Sequence, residues 1–319
     1  MVAARMLWSQ RQDIGPSPRL GHAITYDSIR ERTTLFGGQP SFDSPTTFED
    51  TWQWNGRLWT QVARFGPPQR AFHTLEFDSV RQCCVLFGGQ GPVRSGAGSG
   101  GEFGDTWTFD GTYWTQVEDI GPAARLQHAT AFDSTRARLV LFGGFSGTDG
   151  SVLGDTWEWD GTAWTQTEET GPPPRAAAAM TYDPAAAATI LFGGQLTASG
   201  AADNKTAGDT WAWDGATWTQ VADTGPGPRS GAALTSTSTS AILFGGGGPS
   251  GLRGDSWTWA TSGWTKLGDI GPAPRVLAAT TFDMNRNQIV LFGGAANSAF
   301  ADTWEAAPTP PATGTAGNL

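Results

Sequence analysis

Apolar and polar residues alternate along this chain in short bursts, and no segment sustains a helical period. One unit shows the pattern. The stretch 70–78 (R-A-F-H-T-L-E-F-D) alternates and stops at the turn-former Asp78, which predicts a first strand. Cys83 to Phe87 is a continuous apolar run, as expected of a strand covered on both faces. Gly88-Gly89 ends it where a bare backbone lets a neighbour approach closely. Asp105 to Phe109 predicts a third strand, Asp110-Gly111 a tight hairpin turn, and Trp114 to Val117 a fourth strand. Gly121-Pro122 then leads into the next unit.

The same phrase recurs: G-P-x-x-R, an apolar run ending in L-F-G-G, a loop, then G-D-T-W-x-W-D-G-x-x-W-T-Q. Its glycine pairs stand at Gly37-Gly38, Gly88-Gly89, Gly143-Gly144, Gly193-Gly194, Gly245-Gly246 and Gly293-Gly294, at spacings of 51, 55, 50, 52 and 48 residues. Such a period marks propellers or solenoids. A lone four-stranded sheet cannot bury both faces, whereas sheets stacked around an axis can. The expectation is an all-β, six-bladed β-propeller of four-stranded antiparallel blades. The sixth unit has Asp302-Thr303-Trp304 but no W-T-Q strand after it, and Leu7-Trp8-Ser9-Gln10 supplies one. The N-terminal strand should therefore complete the sixth blade and close the ring. This makes 7–305 a single propeller domain and leaves 306–319, rich in Pro, Thr, Ala and Gly, as a disordered tail.

All sixteen tryptophans fall on repeat strands. Each buries ~150–250 Å², a gross ~4–6 kcal/mol at ~25 cal/mol per Å². They are expected to cement the blades together rather than to form a carbohydrate platform.

The net charge of −10 and pI near 4.7 argue against a nucleic-acid partner, which demands a dense cationic surface. No apolar run is long enough for a membrane span, so no membrane insertion is expected. The start, Met1 to Leu7, is too short and polar for a signal peptide; the chain as it stands reads as cytoplasmic, or as secreted or surface-bound if a leader has been lost. Cys83 and Cys84 are adjacent on one strand, form no disulfide framework and are expected to be inert.

The di-glycine after an apolar strand, the downstream tryptophan pairs and the G-P-x-P-R phrase resemble kelch repeats over residues 7 to 305, and the L-F-G-G wording looks most like bacterial kelch-repeat proteins. The resemblance implies a propeller that binds proteins or other ligands. Some kelch propellers are sugar-modifying enzymes. Those resembling galactose oxidase need ligating tyrosines, one cross-linked to cysteine, and this chain has only Tyr26, Tyr113 and Tyr182. Sialic-acid mutarotases are six-bladed kelch proteins that use polar side chains for acid–base work, for which Glu102 with Arg94 is the nearest imitation here.

The loops between second and third strands vary, with 11, 15, 10, 14, 8 and 7 residues. Binding favours variable loops on a rigid scaffold, so this face is the candidate site, through Phe42, Arg94, Glu102, Phe103, Phe145, Lys205 and Phe300. On the same face lie acidic inter-blade segments with Asp13, Glu118-Asp119, Glu168-Glu169, Asp223 and Asp269. Arg19, Arg70, Arg125, Arg175, Arg229 and Arg275 recur at one position, and Asp50, Asp105, Asp155, Asp209, Asp255 and Asp302 at another. Equal numbers predict structural pairing; the sharper alternative is an anion-holding collar around the axis. His22, His73 and His128 share one position in three successive blades and are weak candidates for a metal, with structural histidines as the expectation. No cofactor and no catalytic residue is assigned. The function expected is a monomeric, non-catalytic binding module for a protein or glycan, with a sugar-modifying enzyme as the alternative.

Overall fold

The computed structural model describes residues 6–11, 14–63, 65–92, 101–118, 120–168, 170–197, 205–260, 263–268 and 270–308. The first blade is formed by Ala23–Asp27, Arg32–Phe36, Thr51–Trp54 and Trp59–Ala63, paired antiparallel in that order from the axis outward. Blade two repeats this with Thr74–Asp78, Cys83–Phe87, Thr106–Phe109 and Trp114–Glu118. In blade three the second and third strands, Arg138–Ser146 and Val152–Trp159, run on past the glycine pair, and a short strand Arg125–Leu126 joins their extension. Blades four, five and six have inner strands Ala179–Asp183, Ala233–Ser236 and Ala279–Asp283. The first strand of blade two starts at Thr74, not at residue 70 as the alternation predicts. Phe72 takes a positive φ of 60°, which breaks the extended run.

The ring closes as expected. Trp8–Gln10 pairs antiparallel with Thr303–Ala306 and becomes the outer strand of blade six. Trp8 also takes the contacts of an outer-strand tryptophan. In five blades the first outer-strand tryptophan donates its indole N–H to a threonine of the preceding blade: Trp59 to Thr303, Trp114 to Thr51, Trp164 to Thr106, Trp218 to Thr156 and Trp264 to Thr210, all within 2.8–2.9 Å. Trp8 donates to Ser256 at 3.2 Å in the same way.

The apolar core is divided into six wedges, one in each seam between neighbouring blades. The seam of blades three and four holds Val140, Phe142, Met180, Leu191, Trp213 and Trp218, while that of blades five and six holds Trp8, Phe244 and Leu291. The tryptophans therefore act between sheets. Trp8→Ala should destabilise the whole propeller by about 3–5 kcal/mol, the usual range for a buried Trp truncation, measured by urea unfolding; an unchanged midpoint would mean that the first strand is not part of the ring.

Candidate functional site

The repeat arginines sit at the seams. Arg70 is fully buried and forms a bidentate pair with Asp105 at 2.6 and 2.8 Å, while its Nη1 also donates to the Gly88 carbonyl and its Nε to the Pro68 carbonyl. The same set occurs in every blade: Arg19 with Asp50, Arg125 with Asp155, Arg175 with Asp209, Arg229 with Asp255 and Arg275 with Asp302, with Nη1 within 2.6–2.7 Å of its carboxylate. Each aspartate also accepts the indole N–H of the tryptophan two residues on, as Asp105 does from Trp107 at 2.7 Å. This explains the D-T-W wording. Burial alone would raise the Asp105 carboxyl, but the hydrogen bond and charge of Arg70 with the Trp107 N–H outweigh it and hold it below its ordinary value. The guanidinium groups are absent from the walls of the axial channel, and an anion would have to displace a carboxylate to reach one.

The arginine backbone is equally committed. Its carbonyl accepts from the second glycine of the preceding blade, as in Gly38 to Arg70, Gly89 to Arg125 and Gly294 to Arg19, at 2.9–3.0 Å. That oxygen lies 2.6 Å from where a Cβ on Gly37 would stand, at φ +64°, so this glycine admits no side chain.

The three histidines line the throat of the axial channel on the loop face, together with Ala178, Ala232 and Ala278. Each ring packs edge-on against a phenylalanine of the preceding blade: His22 on Phe292, His73 on Phe36 and His128 on Phe87, with centroids 5.3–5.5 Å apart. His128 Nε2 lies 2.9 Å from the Thr74 hydroxyl. Burial, then the charge of the adjacent repeat arginine, lowers His22 and His128 to about 3. Among the described residues no three His, Cys, Asp or Glu side chains come together as a metal site. Burial pushes the Cys83 thiol up to about 11 and Cys84 well above its ordinary value, which leaves both poor nucleophiles.

The candidate loop residues separate into three groups. Phe103 and Phe300 cover guanidinium groups, at 3.9 Å over Arg70 and 4.0 Å over Arg275; Phe48 does the same for Arg19 at 4.2 Å. Phe145, a loop-face candidate, is buried, because the extended third blade draws it into register with Val152 and Leu126. Phe42 and Lys205 are exposed. Glu102 and Phe145 line one cavity of about 400 Å³ with Gln90, Leu126, Ser146 and Asp149. Arg94, Asp13, Asp119, Glu169 and Asp269 lie outside the described residues, so Glu102 gains no described partner in Arg94.

Two further features escaped the sequence reading. The first is an arc on the loop-face rim. Ile270, Ile14, Phe65 and Ile120, each just before the Gly of a G-P step, are 60, 81, 89 and 80 % exposed. They precede blades six, one, two and three in succession, while Thr170 and Thr224 hold the place before blades four and five. Each following glycine packs on an outer-strand tryptophan, Gly66 on Trp114 for example, which fixes the segment at the seam. The second feature is Glu76. It stands where the other inner strands carry Thr25, Ala131, Thr181, Thr235 and Thr281, and it lines the far mouth of the channel, a cavity of about 440 Å³ ringed by hydroxyls and by Tyr26 and Tyr182. Burial pushes its carboxyl up to about 8.

Two measurements check these assignments. Asp105→Ala leaves a buried guanidinium unpaired and should cost about 3–5 kcal/mol in denaturant unfolding. The histidines and Glu76 tilt the pH profile in opposite directions. His22 and His128 bind protons in the unfolded chain from about 6.5 but in the fold only near 3, so stability falls as pH drops through that window. Glu76 has a raised value in the fold, so its contribution is complete below about 4.5 and is lost as pH rises through about 8. Glu76→Gln should flatten the alkaline limb of a urea-midpoint profile and leave the acid limb intact.

Comparison with known proteins agrees with this anatomy. Residues 137–309, more than half of the chain, match the family model described as the KLHDC2/KLHL20/DRC7 Kelch-repeats domain. Mei4-dependent protein 6 of Schizosaccharomyces pombe is 30 % identical over 141 residues, which cover 41 % of this chain and 20 % of that protein. The chain thus matches about a fifth of that relative's length. Among solved structures, that of YjhT superposes with a TM-score of 0.69 at 17 % identity, covering 91 % of this chain and 95 % of its own, a likeness of fold. Six di-glycine blades joined through arginine, aspartate and tryptophan, and a family model spanning more than half of the residues, show that this chain belongs to the kelch-repeat family.

Proposed function

We propose that this chain is a non-catalytic binding module that holds a protein partner on its loop face, and that it does so as a monomer. The observation that carries the reading is the rim arc. A single exposed apolar side chain is ordinary on a protein surface. Here four large ones occupy the same repeat position before four consecutive blades, with Leu7, 63 % exposed, bridged to Ile270 at one end. Apolar groups presented on a polar rim favour a protein interface. Phe42 on a neighbouring loop extends the surface, and the cavity with Glu102 and Asp149 adds negative charge suited to a basic partner. Lys205, exposed on one of the two longest loops, completes the loop-face site as proposed. Photo-crosslinking checks the face used. A crosslinker at position 65 should give partner adducts that disappear with Ile14→Ser and Ile120→Ser, whereas one at Val80, in the turn of the opposite face, should give none. Equal yields at both positions would contradict the reading.

Glu76 favours a second reading, in which the chain is a sugar-modifying enzyme using the far mouth of the channel. A carboxyl raised to about 8 holds a proton at neutral pH and gives it up readily, as acid–base work requires. The hydroxyl ring around it suits a polyhydroxylated ligand. Under this reading, anomer exchange of sialic acid followed by NMR should be accelerated by the protein and lose that acceleration in Glu76→Gln. No acceleration by the unaltered protein removes it.

A further inference from the structure

The turn joining the first two strands carries an Asp-x-x-Arg staple in four blades. Asp27 holds Arg30 at 2.7 Å, Asp78 holds Arg81 at 2.6 Å, Asp133 holds Arg136 at 2.7 Å and Asp283 holds Arg286 at 2.7 Å. Each arginine then lies against the hairpin glycine of the following blade: Arg30 on Gly111, Arg81 on Gly161, Arg136 on Gly215 and Arg286 on Gly56. The guanidinium thus plugs the outer end of these four seams.

Blade five has lost both members of the staple. Thr237 and Ser240 replace them and satisfy each other, with the Thr237 hydroxyl donating to the Ser240 carbonyl at 2.9 Å. Blade four has lost only the cation. Ala186 stands in the arginine's place, while Asp183 remains and is 3 % exposed. Its Oδ1 accepts from the backbone of Ala185 at 2.9 Å and more weakly from Ala186. Its Oδ2, the atom that binds arginine in the other four blades, accepts no hydrogen bond among the described residues.

The seam beside it is open. A groove of about 530 Å³ between blades four and five is lined by Asp183, Ala186, Ile190, Ala212, Trp259 and Trp264, with Asp223 at its far end. The hairpin glycine that the arginine covers in the four stapled blades is replaced by Thr261, which lies outside the described residues; at Gly263, just before Trp264, an added Cβ would meet nothing within 4 Å. Ala212 removes a second partner. In blades three and six its equivalents, Glu158 and Glu305, receive the staple arginine and also accept the indole N–H of the next blade's tryptophan, Trp213 and Trp54, at 2.9 Å. Opposite Ala212, the Trp259 indole N–H has no acceptor among the described residues.

We propose that this groove is a socket for an arginine side chain of a protein partner, whose guanidinium takes the place vacated at Ala186 and pairs with Oδ2 of Asp183. The buried, fixed carboxylate supplies the charge, and a single guanidinium N–H donated to the Asp Oδ2 is the contact four sister blades already use. The arginine's methylene stem lies along Ile190, Ala212 and Trp264. A backbone carbonyl beside that arginine accepts from Trp259. The groove is separate from the loop-face arc, and the two are tested by different variants.

The test follows the indole N–H resonances of Trp259 and Trp264 in ¹⁵N-labelled full chain during titration with acetyl-Gly-Arg-Gly-amide. A saturable shift confined to these two resonances is expected. The citrulline counterpart, which keeps the shape and loses the charge, should bind at least ten-fold more weakly. Asp183→Asn, which retains the Oδ1 acceptor for the turn, should weaken the arginine peptide by a similar factor. Ala186→Arg should abolish binding by filling the socket from within, and raise the melting temperature. Absence of a saturable shift at millimolar peptide, equal binding of the citrulline peptide, or unchanged binding in Ala186→Arg would each overturn the proposal. If Asp183→Asn fails to fold, Ala186→Arg and the citrulline peptide decide the matter.

Discussion

Everything in this propeller depends on how the repeat arginine joins one blade to the next. Its backbone N–H and carbonyl both bond to the preceding blade, as Arg70 does to the Phe48 carbonyl at 3.1 Å and the Gly38 N–H at 2.9 Å. Its side chain bonds within its own blade, to Gly88 and Asp105. One residue therefore fastens two sheets, and the motif occurs six times, including the step from Gly294 to Arg19 that closes the circle. Buried ions are stable only when fully paired. That requirement accounts for the aspartate, for the tryptophan that steadies it and for the paired glycines that let the carbonyl in.

Because the six latches are alike, the features that break the six-fold pattern are where specificity can reside. The apolar arc is present before four blades and replaced by threonine before two. Glu76 interrupts a column otherwise made of threonine and alanine. Asp183 keeps its carboxylate after its arginine has gone. These departures occur on different surfaces, at the loop-face rim, at the far mouth of the channel and in the seam of blades four and five. None of them disturbs the latch.

The propeller was legible in the sequence because its period repeats six times, and the missing W-T-Q strand pointed to the first strand as the closing one. The arginine–aspartate pairing was legible from equal numbers at fixed places. The loop residues were less so. Phe103 and Phe300 could be placed on the loop face but not assigned a partner, because nothing in the local sequence reveals the guanidinium that the fold brings beneath them. The burial of Phe145 was not legible because the longer strands of blade three are not signalled by the glycine pair, which elsewhere ends the strand. The arc, Glu76 and Ala186 were all present as odd letters in aligned columns. They become meaningful only once the columns are known to face the rim, the channel and the seam.

Hydrogen exchange of the second-glycine amides, Gly38, Gly89, Gly144, Gly194, Gly246 and Gly294, tests the inter-blade latch most directly. If these bonds hold the ring, all six should exchange only through global unfolding, with the same free energy as the denaturant value. Fast local exchange at these amides in the native protein would show that the blades are held by their apolar seams alone, and would contradict the account.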